Sequence, residues 1–252
     1  THTLNSSGVA EIHKFLDSAE KKHDLRVLAF TGEGENVFIK HYEVGELADS
    51  AEKNIESNKD TKDPKELHAF HRMLLRLREL NAIVVAGING NTAGGGCEFS
   101  LGCDLRVMSD GDFLIGLPET SVGILPGGGG TQRLSRLIGS SRALDLILHA
   151  KLLKPLEAYN LGIINKLFNE KNFKEELYAY CEDLANRAPI ALSQVKKIIH
   201  QGLEMTLEDS LLLEQKAFDV TMNSKDAARA MRSLLNAQEN IENEIKFKWE
   251  GE

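Results

Sequence analysis

Apolar and polar residues recur along this chain at two different periods, and the switches between them mark out its elements. Over 11–24, Ile12, Phe15, Leu16 and Ala19 return at three- and four-residue spacing, which predicts an amphipathic helix with one buried face. Val27-Leu28-Ala29-Phe30 is a continuous apolar run of strand length, closed by Thr31-Gly32. The helical period resumes over 65–80, with Leu67, Phe70, Leu74 and Leu77 aligned and His68, Arg72 and Arg76 expected on the solvated side. Ile83-Val84-Val85-Ala86 predicts a second buried strand that runs into a glycine turn and then a helix over 95–103. Two further strands are expected at 105–108 and 113–115, with a hairpin-like turn at Asp110-Gly111. From Thr131 onward the chain reads as mainly helical, over 173–188, 190–201, 207–221 and 226–238, with Pro189 separating the first two. The segment 46–63 is highly charged, holds few large apolar residues and ends before Pro64, so it is expected to be a mobile surface segment near a pocket.

Strand–helix–strand alternation of this kind implies an α/β class with parallel pairing. The 252 residues are enough to bury a sizeable core. With no internal repeat and no linker, the expected organisation is an α/β core over 1–188 followed by a helical region over 189–252. A formal net charge of -8 argues against nucleic acid as a partner. No apolar run reaches the roughly 18 residues of a membrane span. Three cysteines, an odd number, make a disulfide framework a poor reading and favour a reducing, cytoplasmic location. Cys97 and Cys103 do not match zinc spacings, so no metal is expected. The chain begins at Thr1 without a methionine, which suggests that residues are missing before it.

Chemistry concentrates in Asn89-Gly90-Asn91-Thr92-Ala93-Gly94-Gly95-Gly96-Cys97-Glu98 and, further on, Pro118-Glu119. The three glycines stand where a strand becomes a helix. Their amides can approach a ligand closely, and helix-start amides favour an oxygen carrying partial negative charge. The turn has neither the Lys-Ser/Thr of a P-loop nor a dinucleotide fingerprint. Glu98 in a first helical turn and Glu119 after Pro118 are each compatible with ordinary capping or loop roles. Together, beside an oxyanion-type backbone, they suggest paired acid/base chemistry. A second glycine block, Pro126-Gly127-Gly128-Gly129-Gly130, opens another helix at Thr131-Gln132-Arg133.

In order, Asn89 to Glu98, Cys103-Asp104-Leu105-Arg106, Gly116-Leu117-Pro118-Glu119 and Pro126 to Leu134 resemble the signature blocks of the crotonase (enoyl-CoA hydratase/isomerase) superfamily. Leu161-Gly162-Ile163-Ile164-Asn165 resembles the strand that follows that family's helical pair. The resemblance covers about 4–235 and implies a spiral of ββα units with a C-terminal helical trimerisation region. It implies hydration of a 2-enoyl-CoA thioester in fatty acid metabolism, with CoA as part of the substrate and no separate cofactor. By the same resemblance Glu98 and Glu119 are the catalytic acids, sharing one water. Gly95 and Tyr42 supply the oxyanion hole, and His41, Gly94, Pro118 and Gly127 contact substrate. Homotrimers, often paired into hexamers, are implied too.

The chain departs from the family pattern in places. Phe38-Ile39-Lys40-His41-Tyr42-Glu43 replaces the usual small-residue loop, the turn at Asp110-Gly111-Asp112 is one residue longer, and Asn236-Ala237-Gln238-Glu239-Asn240 replaces a basic, aromatic ending. His41 and Tyr42 therefore keep other enolate reactions open, such as double-bond isomerisation and thioester or C–C hydrolysis. A non-catalytic acyl-CoA-binding relative is a further alternative.

Overall fold

Every residue of β3 (Ile83–Ile88) is buried, as expected of a strand covered on both faces. Val84, Ala86 and Ile88 join one core cluster while Ile83 and Val85 join another, so the period-two alternation of a strand serves two helix layers. The computed structural model describes residues 2–34, 36–57, 65–237 and 247–252. β3 sits in an all-parallel sheet with β1 (Val27–Thr31), β5 (Leu105–Ser109) and β8 (Lys166–Phe168), ordered β1-β3-β5-β8. A second sheet, ordered β2-β4-β6-β7, joins β2 (Asn36–Val37), β4 (Gly90–Ala93), β6 (Ile115–Gly116) and β7 (Leu152–Leu153), with only β6–β7 antiparallel. The expected α/β class with parallel pairing is therefore what the chain adopts.

The helices of the first half are α1 (Ser6–Ala19), α2 (Val44–Glu56), α3 (Ala69–Glu79) and α4 (Gly95–Gly102). α1 starts five residues earlier than the apolar period suggests, because the Asn5 side chain caps it by accepting from the Gly8 N–H at 2.8 Å. α2 begins two residues before the charged segment, covers its first part to Glu56 and buries none of its residues. Residues 58–63 of that segment lie outside the described residues, as do 238–240 of the C-terminal departure. Asp110-Gly111 does not form a hairpin: β5 pairs in parallel with β3 and β8, while β6 belongs to the other sheet. Two short strands facing each other on paper are separated here by a change of sheet. The strand expected at Leu161–Asn165 lies instead at Lys166–Phe168, since Gly162 takes φ +79 and turns the chain before pairing begins.

The second half continues with α5 (Gly130–Ile138), α6 (Ser140–Leu148) and α7 (Pro155–Asn160). Beyond β8 come α8 (Phe173–Ala185), α9 (Pro189–Gly202), α10 (Leu207–Met222) and α11 (Lys225–Ala237). α9 is fixed to the parallel sheet by buried Lys196, whose Nζ lies 2.8 Å from Asp104 Oδ2 and donates to the carbonyls of Leu77 and Ala82. Asp104 also accepts from the Val84 N–H at 2.7 Å and faces His200 Nε2 at 2.8 Å. Such a buried charge is tolerated because every partner is supplied. The terminal residues fold back: buried Asp226 accepts from the amides of Glu250 and Gly251, and Arg26 bridges the carbonyls of Ala185 and Trp249.

Candidate active site

Gly94 takes φ +50, a conformation that L side chains rarely adopt, and it turns the end of β4 into the start of α4. The next residue, Gly95, begins α4, so its amide has no intrahelical acceptor. A Cβ on Gly95 would stand 2.8 Å from Tyr42 Cβ and 3.1 Å from Tyr42 N, which shows how close the two backbones run. Around Tyr42, the Leu4 N–H donates to His41 O and the Glu43 N–H donates to Leu4 O. The bridge to Leu4 thus uses the neighbours of Tyr42, whose own amide nitrogen runs close beside Gly95 in a loop without glycine.

Glu98 is 4% exposed, and its Oε1 accepts from the amides of Gly128 at 2.7 Å and Gly130 at 2.8 Å. Burial pushes its carboxyl up, while the two amides and nearby Arg133 act the other way and favour the ionised form. Arg133 in turn donates to Gly128 O at 3.2 Å, fixing the glycine turn. Glu119 opens a short 3-10 turn, Glu119–Val122, and its carboxylate lies against Gly94. Burial, with a smaller push from Glu98, raises its pKa to about 7. Its Oε2 is buried and has no hydrogen-bond partner among the described residues. The two acids therefore sit in different settings: one held by two glycine amides, the other with one buried oxygen left without a partner among the described residues.

One cavity of about 760 Å³ brings these groups together. Glu98, Glu119, Gly95, Tyr42, His41, Gly94, Pro118 and Gly127 all line it, so the expected catalytic, oxyanion-hole and substrate-contact residues meet in one place. His41 Nδ1 lies 2.7 Å from the Tyr42 carbonyl oxygen and steadies that loop. Sequence reasoning missed five contributors. The amides of Gly128 and Gly130 hold Glu98, a role that glycine spacing alone does not announce. His68, expected on the solvated face of its helix, lines the cavity and stacks on His71 with ring centroids 4.0 Å apart. Ser6 and Glu46 bond the Tyr42 hydroxyl; the Tyr42…Glu46 spacing of four residues at a helix start was the available signal. Cys97 and Cys103 are buried, and burial pushes both thiols up, so neither is a nucleophile at neutral pH. Among the described residues no group of three or more His, Cys, Asp or Glu could hold a metal, and no helix is long and apolar enough to cross a membrane.

Comparison with known proteins is consistent along the whole chain. It is 29% identical to the short-chain-enoyl-CoA hydratase of Clostridium acetobutylicum over 235 residues, 93% of this chain and 86% of that one. It is 26% identical to the crotonyl-CoA hydratase of Syntrophomonas wolfei, over 93% of this chain and 86% of its relative. The crystal structure of enoyl-CoA hydratase from Bacillus anthracis superposes with a TM-score of 0.84 at 27% identity, covering 99% of this chain and 91% of that one. The family profile described as enoyl-CoA hydratase/isomerase matches residues 1–246. With that match and the shared fold, the chain belongs to the enoyl-CoA hydratase/isomerase family, the crotonase superfamily.

Proposed function

We propose that this enzyme is a hydratase that adds water across the double bond of a 2-enoyl-CoA thioester, with Glu98 as base and Glu119 as acid. The observation that carries the reading is the unlike setting of the two carboxyls. Oε1 of Glu98 is held by two amides, which leaves Oε2 to accept from a water in the cavity. Glu119 has an unpartnered buried oxygen and a pKa near neutrality, so it retains a proton to donate. Burial raises both carboxyls, and the two amides that oppose it at Glu98 support the role of base there and of acid at Glu119.

In the forward step the water oxygen bonds to Cβ while Glu98 takes one of its protons. The π electrons move toward the thioester oxygen, where the N–H groups of Gly95 and Tyr42 stabilise the enolate. Glu119 then protonates Cα and the thioester carbonyl re-forms. The site ends with Glu98 protonated and Glu119 ionised, and proton exchange with solvent resets it. His41, Gly94, Pro118 and Gly127 shape the walls around the reacting atoms. Assembly as trimers or hexamers belongs to the same proposal and is supported by exposed apolar residues on α10, among them Leu207, Leu212 and Phe218.

The test is the loss of conjugated-thioester absorbance on adding enzyme to crotonyl-CoA and to longer 2-enoyl-CoA thioesters. Hydration at any chain length is the expected result. Binding of acyl-CoA with no hydration at any length sinks the reading.

A further inference from the structure

α2 is attached to the rest of the molecule in an unusual way. None of its residues is buried, yet Val44, Leu47, Ala48 and Ala51 line the same cavity as Glu98 and Glu119. Val44 is 55% exposed and Leu47 40% exposed. At the end of the 3-10 turn that Glu119 opens, and just beyond it, Val122, Ile124 and Leu125 line that cavity too and are also exposed. These two apolar surfaces share one empty volume, continuous with the reacting centre. What holds α2 there is a polar cluster at its first turn. Glu46 Oε2 accepts from the Ser6 hydroxyl at 2.7 Å, the Ser6 amide at 3.1 Å and the Tyr42 hydroxyl at 3.1 Å. Glu43 adds bonds from the Thr3 hydroxyl at 2.9 Å and the Gly45 amide at 3.4 Å. The Tyr42 ring packs edge-on against Phe70, with centroids 6.1 Å apart.

Building on the hydratase reading, we propose that Ser6, Tyr42 and Glu46 form a clasp that holds α2 as the wall of an acyl-chain subsite for medium-length 2-enoyl-CoA thioesters. From Val44 to Ala51 the helix rises about 10 Å, roughly the reach of an extended chain of about eight carbons. Among the described residues no Lys or Arg lines the cavity, so a terminal carboxylate would lose its water without gaining a cation from them. An alkyl chain, in contrast, covers apolar side chains that are otherwise wet. The clasp fixes the wall before the chain arrives and so removes an ordering cost from binding. Tyr42 joins the two halves of the device: its hydroxyl bonds the wall and its amide faces the thioester oxygen. Ser6, Tyr42 and Glu46 are positioning residues for the acyl chain.

The experiment measures binding of butyryl-, hexanoyl- and octanoyl-CoA by calorimetry, alongside kcat and KM for the matching 2-enoyl thioesters. Saturated thioesters cannot be hydrated, so binding reports on the wall whether or not the catalytic reading holds. For the wild type, affinity is expected to rise about threefold to fourfold per added methylene up to about eight carbons. In Glu46→Ala, octanoyl affinity is expected to fall about tenfold more than butyryl affinity, the size of a lost hydrogen bond to a charged acceptor. The loss should appear in KM more than in kcat. Glu46→Gln retains an acceptor and should restore most of the length dependence. Ser6→Ala is a milder cut in the same cluster should Glu46→Ala fold poorly. A wild-type affinity that is flat from four to eight carbons overturns the proposal, and so does an equal loss for both chains in Glu46→Ala or Ser6→Ala. Length-dependent binding without hydration overturns the hydratase reading and leaves the clasp standing.

Discussion

The two walls of the active-site cavity are built on opposite principles. On one side, α4 and the glycine turns present Glu98 through backbone amides in a buried setting, with Cα atoms so close that side chains have no room. On the other, α2 buries nothing and hangs from hydrogen bonds made by exposed side chains. The first wall is where chemistry needs fixed donors, because preorganised dipoles act without reorganisation as charge develops. The second faces the part of a substrate that varies. Rigidity is spent where the reaction is invariant, and an open, clasped helix stands where the ligand differs.

The comparison breaks most sharply at Glu98. Glu98→Gln keeps an oxygen for the Gly128 and Gly130 amides, so the fold should persist, while a proton acceptor is lost; kcat should fall about 10²–10⁴-fold. A drop of less than about tenfold would remove Glu98 from the role of base. Next comes the pH dependence. Glu119 must be protonated to donate, so hydration should decline about tenfold per pH unit above its pKa of about 7. Its pKa is raised in the folded state, so the stability it contributes is full below the unfolded carboxyl value and disappears as pH rises through about 7. Thermal midpoints should therefore fall as pH rises from about 4.5 to about 7 in the wild type, level off above that, and fall less in Glu119→Gln. The smallest test sets one wall against the other in stability alone. A Cβ at Gly96 would meet Ile39 O at 1.9 Å, so Gly96→Ala should cost about 1–3 kcal/mol, whereas Leu47→Ala should stay within about 0.5 kcal/mol. Equal melting temperatures for the two variants would erase the distinction drawn between the walls.

That same contrast explains what could be read from the residues. Glu98, Glu119 and Gly95 were legible because their surroundings are local in sequence: glycines, a helix start, a proline-fixed loop. β1, β3 and β5 and the helices after Phe173 were legible because their periods are strong. Illegible were features that depend on distant partners. The Asp110-Gly111 turn looks like a hairpin until the strand that follows is drawn into the second sheet by β4. His68 is exposed, as a helical wheel suggests, but that reading gives no hint that it precedes α3 and also lines the cavity. Glu46 reads as one more charge in a charged stretch, and its partner Ser6 lies 40 residues away. Family resemblance supplied the roles of the acids; it gave no hint of the amides that hold one of them and leave the other alone.

Lys196 has a consequence for how the chain is made. Its ammonium satisfies carbonyls 119 and 114 residues earlier in the sequence, at Leu77 and Ala82, and neutralises the Asp104 carboxylate. During synthesis from the N-terminus, the central strands emerge long before α9 does. Until that helix leaves the ribosome, the Asp104 carboxylate has the Val84 amide but not the ammonium, and drying the sheet around it would bury an unpaired charge. Closure of that part of the core is therefore expected to wait for a single lysine made late in translation.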